Sequence, residues 1–129
     1  MRALSLVQPR AAIMMEEGGS VEERSWSTNT RGYIAIHASS TFKRANFEES
    51  AFNPDEVDYG AIVGFARLEH VEGEKGNFEL SFCDVIKLKE PVEIKGMMNL
   101  WKLHGKELNK CLNQLSQTHM RRIEASLQS

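Results

Sequence analysis

The sequence predicts an α+β domain in which five to six mixed strands form a small β-barrel with two or three flanking helices. Apolar and polar residues alternate over 33–37 and 78–83, as is typical of half-buried strands. The run AIVGFA at 61–66 is typical of a central strand covered on both faces. Apolar residues at helical spacing follow position 105, and the strand count suits a small barrel. Because the chain has 129 residues, 41% hydrophobic and 26% charged, a single domain over 1–129 is expected.

Glycine, proline and the apolar pattern predict the elements in order. The first four are a strand over 3–7, a helix over 9–17, and strands over 21–25 and 33–37. A strand over 60–69 then forms a hairpin with a strand over 78–83. A further strand begins at Val92 and continues past Leu100, and a helix begins at Gly105. Pro9 suits the first turn of the first helix, and Gly18 suits the left-handed position beyond its end. Gly64 predicts a bend or bulge in its strand.

Two segments are expected to be less regular than the barrel. Residues 39–58 are polar and rich in turn-forming residues, with Phe42 and Phe47 as apolar anchors. They predict a lid or variable insertion with a short helix after Ser40. Residues 119–129 either extend the last helix or fray.

Charge and composition exclude several classes of protein. A net charge of -2 argues against the uniform basic field of a duplex-DNA protein, although cations concentrate in the last third of the chain. Either that region forms a local cationic face, or its charges simply face water. No apolar run approaches the length of about 18 residues that spans a bilayer, and the first residues lack a secretion signal, so we expect a cytoplasmic protein without a membrane partner.

No cofactor or metal is expected from the motifs. Cys83 and Cys111 stand far from any second ligand at zinc spacing, so a metal site or a disulfide has no support. A phosphate-binding loop, a dinucleotide fingerprint, a nucleophile elbow and a His-Glu-x-x-His motif are all missing from the sequence.

Four sequence blocks carry a family resemblance. They are ALSLVQPRAAI near the start, VEERSW followed by RGYIAIHAS, YGAIVGFARL in the middle, and PVEIKGMMNLWKL near the end. In this order they resemble the ASCH (activating signal cointegrator homology) family over nearly the whole chain. The resemblance implies a PUA-like β-barrel related to the RNA-modification domain of pseudouridine synthases. It also implies nucleic acids or modified nucleosides as ligands.

The family motif GxKxxExR is met in part. Its Glu and Arg fall on Glu22 and Arg24, whereas its Lys falls on Gly19. In family members that resemble amidohydrolases or nucleases, this Lys is a catalytic base or a phosphate contact, and glycine supplies neither. The family's QPW is matched by Gln8 and Pro9, with Arg10 in place of the Trp.

The residues and the resemblance together predict a cleft that binds a nucleotide or a short single-stranded RNA or DNA. It is expected between the strand at 22–26, the segment 39–58 and the turn at Lys95. Arginine suits bidentate phosphate contact, and Trp26 offers a stacking surface for a base. The expected ligand contacts are Gln8, Arg10, Arg24, Ser25, Trp26, Lys43, Lys95 and Gly96.

Two other functions remain open. The first is an enzyme, either a hydrolase acting on an acylated cytidine or a ribonuclease, in which Glu22 works with Lys43 or His37 as proton carriers. The second is a protein-interaction module, as the similarity to the cointegrator domain implies. The sequence does not distinguish RNA from DNA or define the oligomeric state.

Each candidate residue also has a purely structural interpretation. Arg10 is then exposed, with its stem on the sheet. Glu22 and Arg24, two apart on a strand, form an ion pair with each other. Trp26 is a lid over the core, and His37 is a hydrogen-bonded residue at the end of an apolar strand.

Overall fold

The computed structural model describes residues 1–127 as an α+β fold with six strands and three α-helices. In chain order these are β1 (Arg2–Leu6), α1 (Arg10–Glu17), β2 (Ser20–Arg24), β3 (Gly32–Ala38), β4 (Ala61–Glu74), β5 (Asn77–Glu93), β6 (Leu100–Lys102), α2 (Gly105–Leu112) and α3 (Gln117–Leu127). The predicted class, strand number and helix number are confirmed. The tail predicted over 119–129 is helical to Leu127, and its last two residues lie outside the described residues.

The strands form one mixed sheet in the order β2-β5-β4-β3-β1-β6. β1 and β3 are parallel, and the other neighbouring strands are antiparallel. Across the described residues, β2 and β6 are edges that do not pair with each other, so the expected closed barrel is not confirmed.

The open sheet nevertheless curls strongly. In a flat sheet, β2 and β1 would be four strand spacings apart, roughly 19 Å. Yet Nη2 of Arg24 on β2 donates to the carbonyl oxygen of Ser5 on β1 at 3.3 Å. One arginine side chain therefore spans the distance between these two strands, so the edge strand β2 lies close to β1.

The core lies on both faces of the sheet. β3 is buried along its whole length, as expected of a central strand covered on both sides. The cluster on the α1 face includes Leu4, Met14, Ile36, Leu80 and Phe82. The cluster on the α2 and α3 face includes Phe65, Trp101, Leu103, Cys111 and Ile123.

Two predicted elements differ from the structure. Val92 does not begin a separate strand, because β5 runs for 17 residues and pairs with β4 through several register shifts. The single helix predicted from Gly105 is two helices. Ser116 begins the second one, because its hydroxyl accepts a hydrogen bond from the backbone N–H of His119 at 3.1 Å.

The segment 39–58 is anchored beside the end of β1. It contains two short 3₁₀ turns, Arg44–Phe47 and Pro54–Glu56, with Phe47 buried. At its start, the backbone N–H of Ser39 donates to the carbonyl of Leu6 at 2.9 Å.

No helix within residues 1–127 has the length and apolar character needed to cross a membrane.

Gly64 lies at a bulge, as predicted, because the β4–β5 register shifts between Ile62 and Gly64. A Cβ atom at this position would lie 2.5 Å from the carbonyl oxygen of Ile86 and 2.5 Å from Sδ of Met15. We expect Gly64→Ala to lower the free energy of unfolding in urea by about 1–3 kcal/mol, the usual cost of overpacking. Met15→Ala relieves only the sulfur contact, so the double variant stays less stable than Met15→Ala alone. Wild-type stability for Gly64→Ala would contradict this packing.

Candidate functional site

Gln8 joins α1 to the end of the segment 39–58. Its side chain is 1% exposed, and its Nε2 donates to the carbonyl of Asp58 at 2.8 Å. Its Oε1 accepts from the backbone N–H of Ala12 at 3.0 Å, which satisfies one of the free donors in the first turn of α1. The amide predicted to contact a ligand is thus occupied on both sides by the protein.

Glu22 pairs with Arg10 rather than with Arg24. Nη2 of Arg10 lies 2.5 Å from Oε2 of Glu22, and Nε donates to the same oxygen at 3.2 Å. The hydroxyl of Ser20 also donates to Oε2 at 2.8 Å. The carboxylate is 4% exposed, whereas the arginine side chain is 44% exposed, and the hydrogen bond to Glu22 raises the pKa of Arg10. The predicted Glu22–Arg24 pair is therefore wrong, because α1 brings a different cation to the carboxylate.

Arg24 is a half-buried cation that forms no ion pair with any carboxylate of the described chain. Its guanidinium donates to two backbone carbonyls, those of Glu23 at 2.7 Å and Ser5 at 3.3 Å. Burial lowers its pKa, while the charge of Glu22 opposes that shift and that of Arg10 adds to it. Carbonyl dipoles balance a full charge only in part, so this cation favours an anionic partner.

A cavity of about 220 Å³ lies between the loop after β2 and the start of β6. It is lined by Trp26, Ser27, Thr28, Asn99 and Leu100. Trp26 is half-buried and packs against the core on the α1 face, while Ser25 beside it is exposed. Asn99 has a φ of 59°, a left-handed conformation that asparagine tolerates better than most residues. We call this space the β2–β6 groove.

His37 is enclosed in a hydrogen-bond network. The ring is 2% exposed, with Nε2 2.7 Å from the carbonyl of Ile94 and Nδ1 2.9 Å from the hydroxyl of Ser5. A carbonyl only accepts, so Nε2 carries the proton and Nδ1 accepts from Ser5. Ser5 Oγ in turn accepts from Nε1 of Trp101 at 3.2 Å. Both ring nitrogens hold the fold together, which favours the structural interpretation of His37.

Gly96 is required by this network. A Cβ atom there would lie 2.5 Å from Ser5 Oγ and 2.6 Å from Cε1 of His37. The close approach that this glycine allows is therefore to protein atoms. Lys95, which precedes it, is exposed at the same turn and remains available to an anion.

Lys43 is exposed at the start of the Arg44–Phe47 turn. The hydrogen bonds and ion pairs of the described chain do not connect it to Glu22, Arg24 or His37. Gly19, at the position of the family lysine, has a φ of 157°, and a Cβ atom there would overlap the carbonyl oxygen of Phe82. A lysine therefore cannot be accommodated at this position unless β2 and β5 move apart.

The structure brings Arg10 and Glu22 into direct contact and places Arg24 against the carbonyl of Ser5, whereas Gln8 bonds to Ala12 and Asp58 instead. Sequence reasoning missed Ser5, Ser20 and Trp101, which hold the polar side chains in place. An alternating strand does not reveal which partner a serine on it will face, so the sequence carried no signal for Ser5. Within residues 1–127, no group of three His, Cys, Asp or Glu side chains is placed to hold a metal ion.

Removal of Arg10 would leave a buried carboxylate with only Ser20 as a partner. We expect Arg10→Ala to lower the free energy of unfolding by about 1–3 kcal/mol, the cost of an unsatisfied buried polar or charged group. Adding Glu22→Gln removes the stranded charge and restores part of that loss, which a double-mutant cycle measures in urea. Additive losses would contradict a direct pair.

Burial also predicts a pH dependence of stability. Burial lowers the pKa of His37 below its usual 6.5, and the hydrogen bond to the carbonyl of Ile94 opposes that shift. As pH falls below about 6.5, the unfolded chain binds a proton that the folded chain excludes, so stability falls by at most about 1.4 kcal/mol per pH unit. We expect His37→Gln to remove this component from urea unfolding measured between about pH 7.5 and 5.5. The matched variant His104→Gln, at an exposed position, should retain it.

No protein-family model matches the chain, and no curated protein matches it. The resemblance to the ASCH family therefore rests on the four sequence blocks alone.

Proposed function

We propose that the protein binds a nucleotide or a short single-stranded nucleic acid in the β2–β6 groove. The observation that carries this proposal is Arg24, a half-buried guanidinium that lacks a carboxylate partner in the described chain and lies two residues from the groove tryptophan. A nucleotide matches both groups, since its phosphate is an anion and its base is a flat aromatic ring.

Each contact has a definite physical role. The guanidinium offers several N–H donors in a planar fork, which suits the oxygens of a phosphate. Trp26 provides a face for stacking, which contributes about 1–3 kcal/mol per base in single-strand binding. Lys95 and Lys43 are exposed cations that add sequence-independent attraction if the strand extends towards them.

We further propose that the fold is a PUA-like domain of the ASCH family. The four sequence blocks support this, as does the curl that brings β2 within one arginine side chain of β1. In this interpretation the barrel is incomplete, and the gap between its edges is the ligand groove.

The hydrolase alternative has weaker support. Its proton carriers would be Glu22, which accepts hydrogen bonds from Arg10 and Ser20, and His37, which has both nitrogens engaged. General acid–base catalysis needs a group within reach of the substrate proton. Gly19 adds no such group, and its crowded backbone prevents simple replacement by lysine.

Binding of a fluorescent single strand of about eight nucleotides, followed by anisotropy, tests the proposal. Both RNA and DNA are used. We expect Trp26→Ala to lose about 1–3 kcal/mol of binding free energy, while Trp26→Phe retains most of it. Arg24→Gln should weaken binding about tenfold and reduce the log-log salt slope by about 0.7, the contribution of one phosphate contact.

Lys75→Gln, at the exposed turn between β4 and β5, is the matched control and should bind like the wild type. Thermal unfolding of each variant establishes that loss of binding is not loss of folding. If the salt slope of Arg24→Gln equals that of the wild type, Arg24 does not contact a phosphate of the bound strand. If neither RNA nor DNA binds at millimolar concentration, the protein-interaction alternative is favoured instead.

A further inference from the structure

A second cavity, of about 440 Å³, lies where α3 packs over β3, β4 and β5. Its polar lining includes Arg31, Tyr33, Arg67, Glu69, Asp84 and Arg122, with Ser126 at its α3 side. These residues take no part in the function proposed above, and their formal charges sum to +1. We call this space the α3 cavity.

Asp84 contacts two of the arginines that line the α3 cavity. Its Oδ2 accepts from Nε of Arg67 at 2.9 Å and from Nη2 at 2.6 Å, and its Oδ1 lies 3.8 Å from Nη2 of Arg122. Asp84 has a φ of 49° inside a strand, where the β4–β5 register shifts between Phe65 and Arg67. Such bulges re-aim side chains and are enriched beside functional sites. Here the bulge directs a carboxylate at two cations.

Tyr33 supplies an independent observation. Its side chain is 3% exposed, and its hydroxyl has no hydrogen-bond partner within residues 1–127. Buried hydroxyls usually find a partner, so an unpartnered one beside a cavity requires an explanation. Burial raises the pKa of Tyr33, the charges of Arg122 and Arg67 oppose that shift, and the charge of Asp84 adds to it. All three charged residues line the α3 cavity together with Tyr33.

Access to the hydroxyl depends on Arg122. Its guanidinium carbon lies 5.8 Å from the centroid of the Tyr33 ring, and its side chain is 43% exposed. At 3.8 Å, its link to Asp84 is the longer of the two arginine contacts. Arg122 is therefore the more weakly held of the two cations, and it lies over the ring of Tyr33.

We propose that the α3 cavity binds a phosphate group, held by Arg67 and Arg122 and by a hydrogen bond from the Tyr33 hydroxyl. A tetrahedral oxyanion has enough oxygens to accept from both guanidinium forks and from a phenol at once. Asp84 holds the arginines in place in the free protein and competes with the anion for them. The proposal is independent of the β2–β6 groove.

The competing interpretation is purely structural. In this interpretation, the contact between Asp84 and Arg122 only holds α3 on the sheet, and Tyr33 only packs in the core. Both interpretations expect Tyr33→Phe to leave the free protein at least as stable as the wild type, because the substitution keeps the ring and removes only the unpartnered oxygen. They differ in whether the substitution weakens phosphate binding.

Titration with inorganic phosphate, followed by NMR of the arginine side chains, tests the proposal. We expect Tyr33→Phe to bind phosphate about tenfold more weakly, the factor that corresponds to one lost hydrogen bond to a charged group. Tyr59→Phe is the matched control, because the hydroxyl of Tyr59 donates to the carbonyl of Pro54 at 2.9 Å, and its phosphate affinity should not change.

Asp84→Asn gives a prediction of opposite sign. Asparagine tolerates a positive φ, so the bulge is retained, while loss of the carboxylate frees both arginines for the anion. We expect phosphate to bind several-fold more tightly. If Asp84 only holds α3 on the sheet, Asp84→Asn should instead lower the free energy of unfolding and leave the phosphate affinity unchanged.

A second arm of the experiment identifies the source of the phosphate group. A 5′-phosphorylated dinucleotide is compared with its 5′-hydroxyl counterpart and with inorganic phosphate. Tighter binding of the phosphorylated dinucleotide than of inorganic phosphate indicates a strand end, and equal binding indicates a free phosphate. The proposal is overturned if phosphate leaves the Arg67 and Arg122 signals unchanged, or if Tyr33→Phe and Tyr59→Phe bind it equally.

Discussion

The arrangement of the molecule depends on the hydrogen bonds that converge on Ser5. Its hydroxyl donates to His37 on β3 and accepts from Trp101 on β6, while its carbonyl accepts from Arg24 on β2. Gly96 closes over the same hydroxyl. Since a buried polar group that loses its partner costs about 1–3 kcal/mol, these bonds favour one relative placement of the strands. One small side chain and its backbone carbonyl thereby connect three strands that are distant in sequence.

This constraint explains why the sheet is curled but not closed. Backbone pairing ends at β2 on one side and at β6 on the other, and the Arg24 side chain connects β2 to the carbonyl of Ser5 on β1, the neighbour of β6. A closed barrel would have no exposed edge, whereas this open sheet has a cavity between the loop after β2 and the start of β6, where we propose that a ligand binds. Trp26 lines the β2–β6 groove, and Arg24 precedes Trp26 by two residues at the end of β2. The packing of α1 on the sheet brings Arg10 to Glu22, whose side chain is 4% exposed.

Much of the fold could be predicted from the sequence, because local rules govern it. Pro9 and Gly18 mark the ends of α1, alternation marks β3, and Gly64 marks the bulge of β4. The partner of Glu22 could not be predicted, since a cation twelve positions away reaches it only after α1 has packed on the sheet. The unpartnered Tyr33 hydroxyl likewise depends on the arrangement of α3 over β3, which periodicity does not specify. Motifs thus identified important positions but did not separate structural from ligand-binding roles.

We propose that the β2–β6 groove is the binding surface, and an NMR titration of labelled protein with a short single-stranded RNA is the direct test. We expect shifts of the Trp26 indole and Arg24 guanidinium signals at low ligand concentration. The Trp101 indole, which is 4% exposed and bonded to Ser5, serves as the internal reference and should not shift. Unchanged Trp26 and Arg24 signals at millimolar RNA, or shifts confined to other surfaces, would contradict binding in the β2–β6 groove.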